Sequence, residues 1–241
     1  IIAGGTGSGK TTMLNVLAAF IRPFERVITI EDTAELSLPL KHLIRFEGKP
    51  PGIEGTGEIT LDILTKNSLR MRPDRILVGE IRHAEAFSLF TAMNTGHDGC
   101  LGTVHANSPD ETLVRVTSPP MSVPTLMLSG LDMILVEHRL HDKKKGTIRR
   151  VTEIAEVSGV LVGKPTTQTI FEYDAATDEL KKTKMPSEFL KMLEKFTGYS
   201  KKQIDTIVEE RTKFIEQLIK NNVNGLTQVS KSCEVFLMES K

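Results

Sequence analysis

The stretch GGTGSGKTT, residues 4–12, has the residue types and spacing of a phosphate-binding loop. The fixed positions of the pattern G-x-x-x-x-G-K-[ST] are occupied by Gly4, Gly9, Lys10 and Thr11. Glycines allow consecutive backbone N–H groups to turn toward one anion, and a helix that begins there adds its positive end. Lys10 can reach the β- and γ-phosphates, and the Thr11 hydroxyl can bind Mg²⁺. The spacing therefore predicts a nucleoside triphosphate site.

The phosphates are expected to contact the whole loop and the first helical turn, through Gly5, Thr6, Gly7, Ser8, Gly9, Lys10, Thr11 and Thr12. A ligand-free glycine turn between a strand and a helix is the alternative, but it leaves the Lys-Thr pair unexplained. The pattern does not separate hydrolysis from switching. The chain lacks an N-K-x-D run, the usual guanine signal, which favours adenine.

Acidic residues and a histidine end three other apolar runs. RVITIED ends in Glu31 and Asp32, RILVGE in Glu80, and CLGTVH in His105. Ligands of open α/β sheets gather at the carboxyl ends of the strands, so we expect these side chains to face the phosphate loop. Each also has a structural interpretation. The two adjacent acids can cap the next segment, and a histidine at a strand end is often a hydrogen-bonded structural residue.

The remaining pattern supplies the elements that position these side chains. The first 140 or so residues alternate short apolar strands with helical stretches, which is typical of a parallel α/β sheet. Residues 36–58 carry four glycines and three prolines and are expected to form a long loop or irregular hairpin. LDMILVEHRL completes the sheet, and an antiparallel extension follows. Past Pro186, two amphipathic helices predict a small helical subdomain over 185–241, beside a core over 1–184.

Two helix starts are marked by capping residues. SPDE places Ser108 before a proline and Glu111 three residues later, which predicts a capping box. Ser200 and Gln203 have the same spacing and predict the start of a helix that runs to about Asn221.

Composition excludes several classes of protein. The chain has 241 residues, of which 39% are hydrophobic, enough for a sizeable core. Lys+Arg and Asp+Glu both total 31, so no overall charge attracts nucleic acid or anionic lipid. Two cysteines fit a reducing compartment, and no apolar run spans a bilayer. The chain opens on IIAGG, without a signal peptide or an initiator methionine, so we expect it to be the back part of a longer polypeptide.

Four blocks together resemble the secretion ATPase superfamily, which powers type II secretion, type IV pilus assembly, archaellum rotation and tight-adherence pili. GGTGSGKTT, ITIEDTAEL, LRMRPDRILVGEIR and TGHDGCLGTVHANS look like its Walker A, Asp box, Walker B and His box, in that order, over roughly residues 1–140. The stretch from the His box to SPPM is most similar to archaeal pilus or secretion ATPases and to the tight-adherence branch. The bacterial type II branch usually carries a four-cysteine zinc motif, which this chain lacks.

The resemblance implies a RecA-like P-loop fold with ATP and Mg²⁺ as cofactors. It implies a homo-hexamer with ATP at the subunit interfaces, and an N-terminal domain upstream of Ile1. The expected partner is a polytopic membrane platform protein, and the expected location is the cytoplasm at the inner face of the cell membrane.

The residues expected to be catalytic are Glu80, Glu31, His105 and Arg82. Arg82 is a candidate contact to phosphate or to a neighbouring subunit, and an ordinary surface or ion-pair arginine is the alternative. Glu80 is expected to orient or deprotonate the attacking water, or to hold Mg²⁺ through a water, with Thr11 as the other metal-binding residue. Gly79 stands where many nucleotide hydrolases have a first acid, and we expect it to let the backbone approach the phosphate loop. Glu31 from the neighbouring strand then shares the metal or water work, and His105 senses the γ-phosphate.

Two other functions remain open at this point. One is a nucleic-acid translocase of the conjugation or DNA-uptake type, although two tyrosines and no tryptophan offer little for stacking bases. The other is a nucleotide-gated interaction module that does not hydrolyse. The sequence does not distinguish pilus assembly from secretion or archaellum rotation.

Overall fold

The computed structural model of the chain describes residues 1–161 and 164–239. The strands of these residues are β1 (Ile2–Gly4), β2 (Val27–Glu31), β3 (Leu43–Glu47), β4 (Arg75–Val78), β5 (Leu101–Val104), β6 (Met133–Asp142), β7 (Gly146–Leu161), β8 (Lys164–Asp174) and β9 (Glu179–Lys182). The helices are α1 (Lys10–Ala18), α2 (Leu61–Ser68), α3 (Glu85–Asn94), α4 (Pro109–Thr117), α5 (Glu188–Thr197), α6 (Lys201–Lys220) and α7 (Leu226–Glu239), with a 3₁₀ helix over Thr125–Gly130.

The described strands form one sheet in the order β3-β2-β4-β5-β1-β6-β7-β8-β9. Every pair from β3 to β6 is parallel, and every pair from β6 to β9 is antiparallel. The predicted α/β sheet with an antiparallel extension is therefore confirmed. Because β1 lies between β5 and β6, the loop after β1 is flanked by strand ends on both sides.

The edge strand β3 lies inside the segment that the sequence predicted to be a loop or irregular hairpin. It pairs in parallel with β2, with Leu43 opposite Val27 and Glu47 opposite Glu31. None of its residues is fully buried, because it has a neighbour on one side only. A half-exposed strand of five residues among glycines and prolines lacks the continuous apolar run of a central strand, so the prediction was wrong there.

Two apolar layers cover the two faces of the parallel part of the sheet. One layer packs α1, through Leu14 and Ala18, against Ile2, Val27 and Leu77. The other layer contains the remaining buried strand residues and the inner faces of three helices, with the side chains Ile28, Ile30, Ile76, Val78, Leu61, Leu89, Phe90 and Leu113 among its members. All five residues of β2 are buried, and three of them are apolar, as expected for a parallel strand that is covered on both faces.

The predicted capping box at the start of α4 forms only in part. The Ser108 hydroxyl accepts the N–H of Glu111 at 3.0 Å. The Glu111 carboxylate accepts the N–H of Asn107 at 2.8 Å, so the reciprocal bond expected for a capping box goes one residue further back. At α6 the box is complete, since Ser200 and Gln203 each bind the other's backbone N–H.

The C-terminal region contains three helices among the described residues, one more than the sequence indicated. Helix α5 is held at its N-terminus by Glu156 of β7, which is buried and accepts the N–H of Glu188 at 2.7 Å. Helices α6 and α7 stack Phe214 on Phe236, with ring centroids 4.3 Å apart. None of the described helices is long and apolar enough to cross a membrane.

Candidate functional site

The loop between β1 and α1 turns tightly, in a way that requires glycine at several positions. Gly7 and Gly9 have φ angles of 71° and 117°, in the left-handed region that glycine adopts at little cost. At Gly4 a Cβ atom would lie 2.5 Å from the backbone oxygen of Glu137, and closer still to the Ser8 hydroxyl. The Lys10 ammonium group donates to the Gly5 carbonyl oxygen at 3.0 Å, so it lies folded over the loop.

The loop has the free donors that a phosphate group requires. Within residues 1–161 and 164–239, the backbone N–H groups of Gly7, Gly9, Lys10 and Thr11 donate to no backbone oxygen. These donors lie where α1 begins, so the helix dipole adds to their attraction for an anion. Thr12 is exposed and lines a cleft of about 580 Å³ with the loop residues, whereas Ser8 is buried. The loop geometry therefore fits a polyphosphate chain.

The predicted acids and the histidine lie together beside this loop. A cavity of about 150 Å³ has Thr11, Glu31, Glu80 and Arg82 among its lining residues. Glu80 and Arg82 also line an adjoining cavity of about 410 Å³, which His105 shares. The structure thus brings the residues predicted from four separate sequence blocks to one edge of the sheet.

The Glu31 side chain occupies the space beside Gly79, where the side chain of a larger residue would lie. A Cβ atom at Gly79 would lie 3.0 Å from Cγ of Glu31 and 3.5 Å from its Oε1. The atoms nearest to a Cβ at Gly79 belong to this side chain of β2, and the predicted approach of the Gly79 backbone to the phosphate loop stays a prediction. A larger residue at this position would crowd Glu31, whose side chain would have to move by a few tenths of an ångström.

Glu31 is largely committed to holding the chain that follows β2. It is 3% exposed, and its Oε1 accepts the N–H groups of Glu35 at 2.9 Å and Leu36 at 2.8 Å. Its other oxygen, Oε2, lies 4.0 Å from the Arg45 guanidinium. The structural interpretation, in which Glu31 caps the next segment, is therefore realised, although Glu31 also lines the cavity.

Glu80 follows β4 and is held by an ion pair with Arg82, whose guanidinium donates to its Oε2. This contact with Glu80 raises the pKa of Arg82. Arg82 is about half exposed, with Asp32 3.9 Å away as its second partner. An exposed pair of this kind contributes little to stability, about 0–1 kcal/mol, so Arg82 can release Glu80 at low cost.

Buried contacts on both sides fix the turn that carries Glu80. The hydroxyl of Thr103 on β5 donates to the Gly79 carbonyl at 2.7 Å. The buried Glu85 carboxylate, at the first residue of α3, accepts the backbone N–H groups of Arg82 and His83. The backbone on both sides of Glu80 is therefore held in place while its side chain faces the cavities.

A magnesium ion fits this edge only together with phosphate. The Thr11 hydroxyl donates to Glu35 Oε2 at 3.3 Å, and Glu80 lies across the same small cavity. Among the residues that the structure describes, no three His, Cys, Asp or Glu side chains group closely enough to hold a metal ion. Thr11 and Glu80 would supply protein contacts, and a nucleotide's phosphate oxygens the rest, as Mg²⁺ in such sites requires.

Sequence reasoning missed Glu137, which flanks the loop on the side opposite Glu80. It lies on β6, pairs in register with Gly4 and is 6% exposed. Burial raises its pKa to about 7, although the nearby Lys10 lowers it. Burial also lowers the pKa of Lys10, against the attraction of Glu80 and Glu137. The available signal was an acid inside the apolar run MILVEH, where a carboxylate is costly.

Residues 1–230 match the protein family described as type II/IV secretion system protein. A putative conjugal transfer protein of Mycobacterium tuberculosis is 47% identical over 116 residues, which are 48% of this chain and 33% of that protein. The uncharacterized protein MJ1287 of Methanocaldococcus jannaschii is 35% identical over 97% of this chain and 86% of its own length.

Among solved structures, the VirB11 ATPase of the Brucella suis type IV secretion system is similar to this chain, with a TM-score of 0.54 and 31% identity. The similarity covers 64% of this chain and 48% of VirB11. The match to the mycobacterial relative spans a third of that protein's length.

Proposed function

The chain belongs to the type II/IV secretion system protein family, and we propose that it hydrolyses ATP as part of a motor for pilus or filament assembly or protein secretion. The observation that carries this proposal is the meeting of four side chains around the phosphate loop. Thr11, Glu31 and Glu80 share one cavity, and His105 shares the next with Glu80.

In the proposed reaction the loop positions the phosphates and Glu80 acts on water. The unpaired N–H groups and Lys10 neutralise the β- and γ-phosphates, and Mg²⁺, when bound, supplies further neutralising charge. Glu80 orients the attacking water and accepts its proton, after Arg82 has turned from Glu80 to the phosphate. Glu31 keeps the segment after β2 in place and lines the cavity that it shares with Glu80. His105 contacts the γ-phosphate side of the site.

The assembly that we propose is a homo-hexamer with nucleotide at the subunit interfaces. Its partner is a polytopic membrane protein, at the cytoplasmic face of the cell membrane. An N-terminal domain upstream of Ile1 completes the nucleotide pocket. Family membership supports these proposals, and so does the exposure of Arg82, which leaves it accessible to a neighbouring subunit.

A nucleic-acid translocase is a second candidate, since one relative is named a putative conjugal transfer protein. The equal numbers of basic and acidic residues do not favour it. Single-stranded DNA that stimulates ATP turnover several-fold, where lipid vesicles do not, would support this candidate over the secretion motor.

The proposal is tested with the full-length polypeptide that carries this chain, by phosphate release from ATP and by ATP binding. We expect Lys10→Ala to abolish binding or turnover, because Lys10 is the cation of the phosphate loop. Lys143→Ala is the matched control, since it removes the same charge from an exposed turn. Normal turnover by Lys10→Ala, or equal losses in both variants, would contradict the proposal.

A further inference from the structure

Glu137 is a buried carboxylate directed at the phosphate loop, and the proposed reaction leaves it unused. Its Oε2 has no hydrogen-bond partner among the described residues and almost no contact with solvent. A Cβ atom at Gly9 would lie 3.4 Å from this oxygen, so Glu137 packs directly against the loop backbone. The register of β6 shifts at Val136 and Glu137, beside the point where β1 ends in Gly4.

Titratable and charged groups near Glu137 and the loop come from most of the neighbouring elements. Helix α1 contributes Lys10, and β7 contributes Arg149, whose Nε donates to the Gly7 carbonyl at 2.9 Å. On β6 itself, Arg139 is exposed near Gly7, while the His138 ring is bound to Thr152 at 2.6 Å. Glu35 lines the same 580 Å³ cleft from the segment after β2, and β1 adds no titratable side chain.

Among these groups, Lys10 is the cation that the phosphate-loop motif assigns to the phosphates of a bound nucleotide. Lys10 now donates to Gly5, and no ion pair within 4.0 Å links it to Glu137 in the described residues. It nevertheless attracts Glu137 at longer range. Phosphates in the loop become the nearest partners of Lys10 and add negative charge beside a carboxylate that is already buried. Burial and the added negative charge both favour the neutral carboxylic acid over the carboxylate.

We propose that Glu137 balances the charge of Lys10 while the loop is free, and takes up a proton from solvent when nucleotide phosphates become the partners of Lys10. Glu137 is thus a positioning residue that acts through Lys10 and does not touch the reacting atoms. The inference rests on the proposed nucleotide site. The net change is one carboxylate and one solvent proton converted to one carboxylic acid, so nucleotide affinity falls as the pH rises.

The expected number of protons follows from the pKa of about 7 in the free protein. At about pH 8 the free carboxylate is mostly ionised, so binding takes up nearly one proton, and at about pH 6 uptake falls toward zero. Affinity at about pH 8 is then about tenfold below its value with Glu137 protonated. Glu137→Gln mimics the protonated form, so it should bind ADP about tenfold more tightly at that pH and without proton uptake.

The experiment is calorimetry of Mg-ADP binding to the full-length polypeptide in two buffers of different ionisation enthalpy, at both pH values. Glu153→Gln is the matched control, since Glu153 lies one register position away on β7 and binds Thr169 instead of facing the loop. Carbon-13 spectra of glutamate-labelled protein give a second readout, in which ADP shifts one carboxyl signal from its ionised to its protonated position.

The outcomes separate this inference from the proposed function. Proton uptake that Glu137→Gln removes and Glu153→Gln retains supports the inference. ADP binding without proton uptake, or uptake that persists in Glu137→Gln, overturns it and leaves the nucleotide site standing. If the unaltered protein binds no ADP, the nucleotide site and this inference both fail. If Glu137→Gln does not fold, an ADP-induced carboxyl shift in the unaltered protein supports the inference, and its absence overturns it.

Discussion

Glu31 is predicted to contribute more to folding than its place in a catalytic motif indicates. Its Oε1 accepts two backbone N–H groups, from Glu35 and Leu36, and the side chain is 3% exposed. Hydrogen bonds to a charged group contribute about 1.5–3 kcal/mol each, so Glu31→Ala should lower the free energy of unfolding by about 3–6 kcal/mol. Glu31→Gln keeps an acceptor oxygen in the same place but loses the charge, about 1–1.5 kcal/mol per bond, so it should cost less, about 2–3 kcal/mol.

Equilibrium unfolding of the chain in urea measures both variants. Asp32→Ala is the control, because Asp32 is the adjacent acid but is exposed and lies 3.9 Å from its partner Arg82, so its loss should cost less than about 1 kcal/mol. If Glu31→Ala proves as stable as Glu31→Gln, the two hydrogen bonds do not hold the segment after β2. The structural role of Glu31 would then be refuted.

Three further predictions concern packing and pH. Gly4→Ala should destabilise the fold by about 1–3 kcal/mol in a thermal melt, because its Cβ meets backbone, whereas at Gly5 the nearest atom is 3.6 Å away and alanine should be tolerated. Glu156→Ala should expose the residues before α5 to trypsin, because it removes the acceptor of the Glu188 N–H; an unchanged digestion pattern would contradict this. The pKa of Glu137 is about 7 in the folded state and about 4.5 in the unfolded state, so the free energy of unfolding should fall as the pH rises between these values. Glu137→Gln should remove up to about 3 kcal/mol of this pH dependence. Equal slopes of unfolding free energy against pH in the two proteins would contradict the prediction.

The central fold could be predicted because its signals are local. Short apolar runs that alternate with helical stretches indicate a parallel sheet, and parallel strands must end at a common edge. That rule alone predicted that Glu31, Glu80 and His105 lie beside the phosphate loop. The edge strand β3 escaped prediction because none of its residues is fully buried. Helix α7 was missed although Leu226, Val229, Cys233 and Phe236 recur at helical spacing.

The details of the site depend on distances that a sequence does not contain. Spacing placed Glu31 and Gly79 at the ends of neighbouring strands. Only the structure shows that the Glu31 side chain fills the space beside Gly79. Glu137 was overlooked because its partner, the phosphate loop, precedes it by more than 120 residues. An acid within an apolar run is the local signal that should have drawn attention to it.

The most direct test of the account compares ATP binding with ATP turnover in Glu80→Gln, in the full-length polypeptide. The amide keeps the size of the side chain and removes its ability to accept a proton. We predict that ATP binding is retained and that turnover falls by about 100-fold or more, the usual scale for loss of a general base. Turnover that survives in Glu80→Gln but is lost in Glu31→Gln would contradict the account and exchange the roles of the two acids.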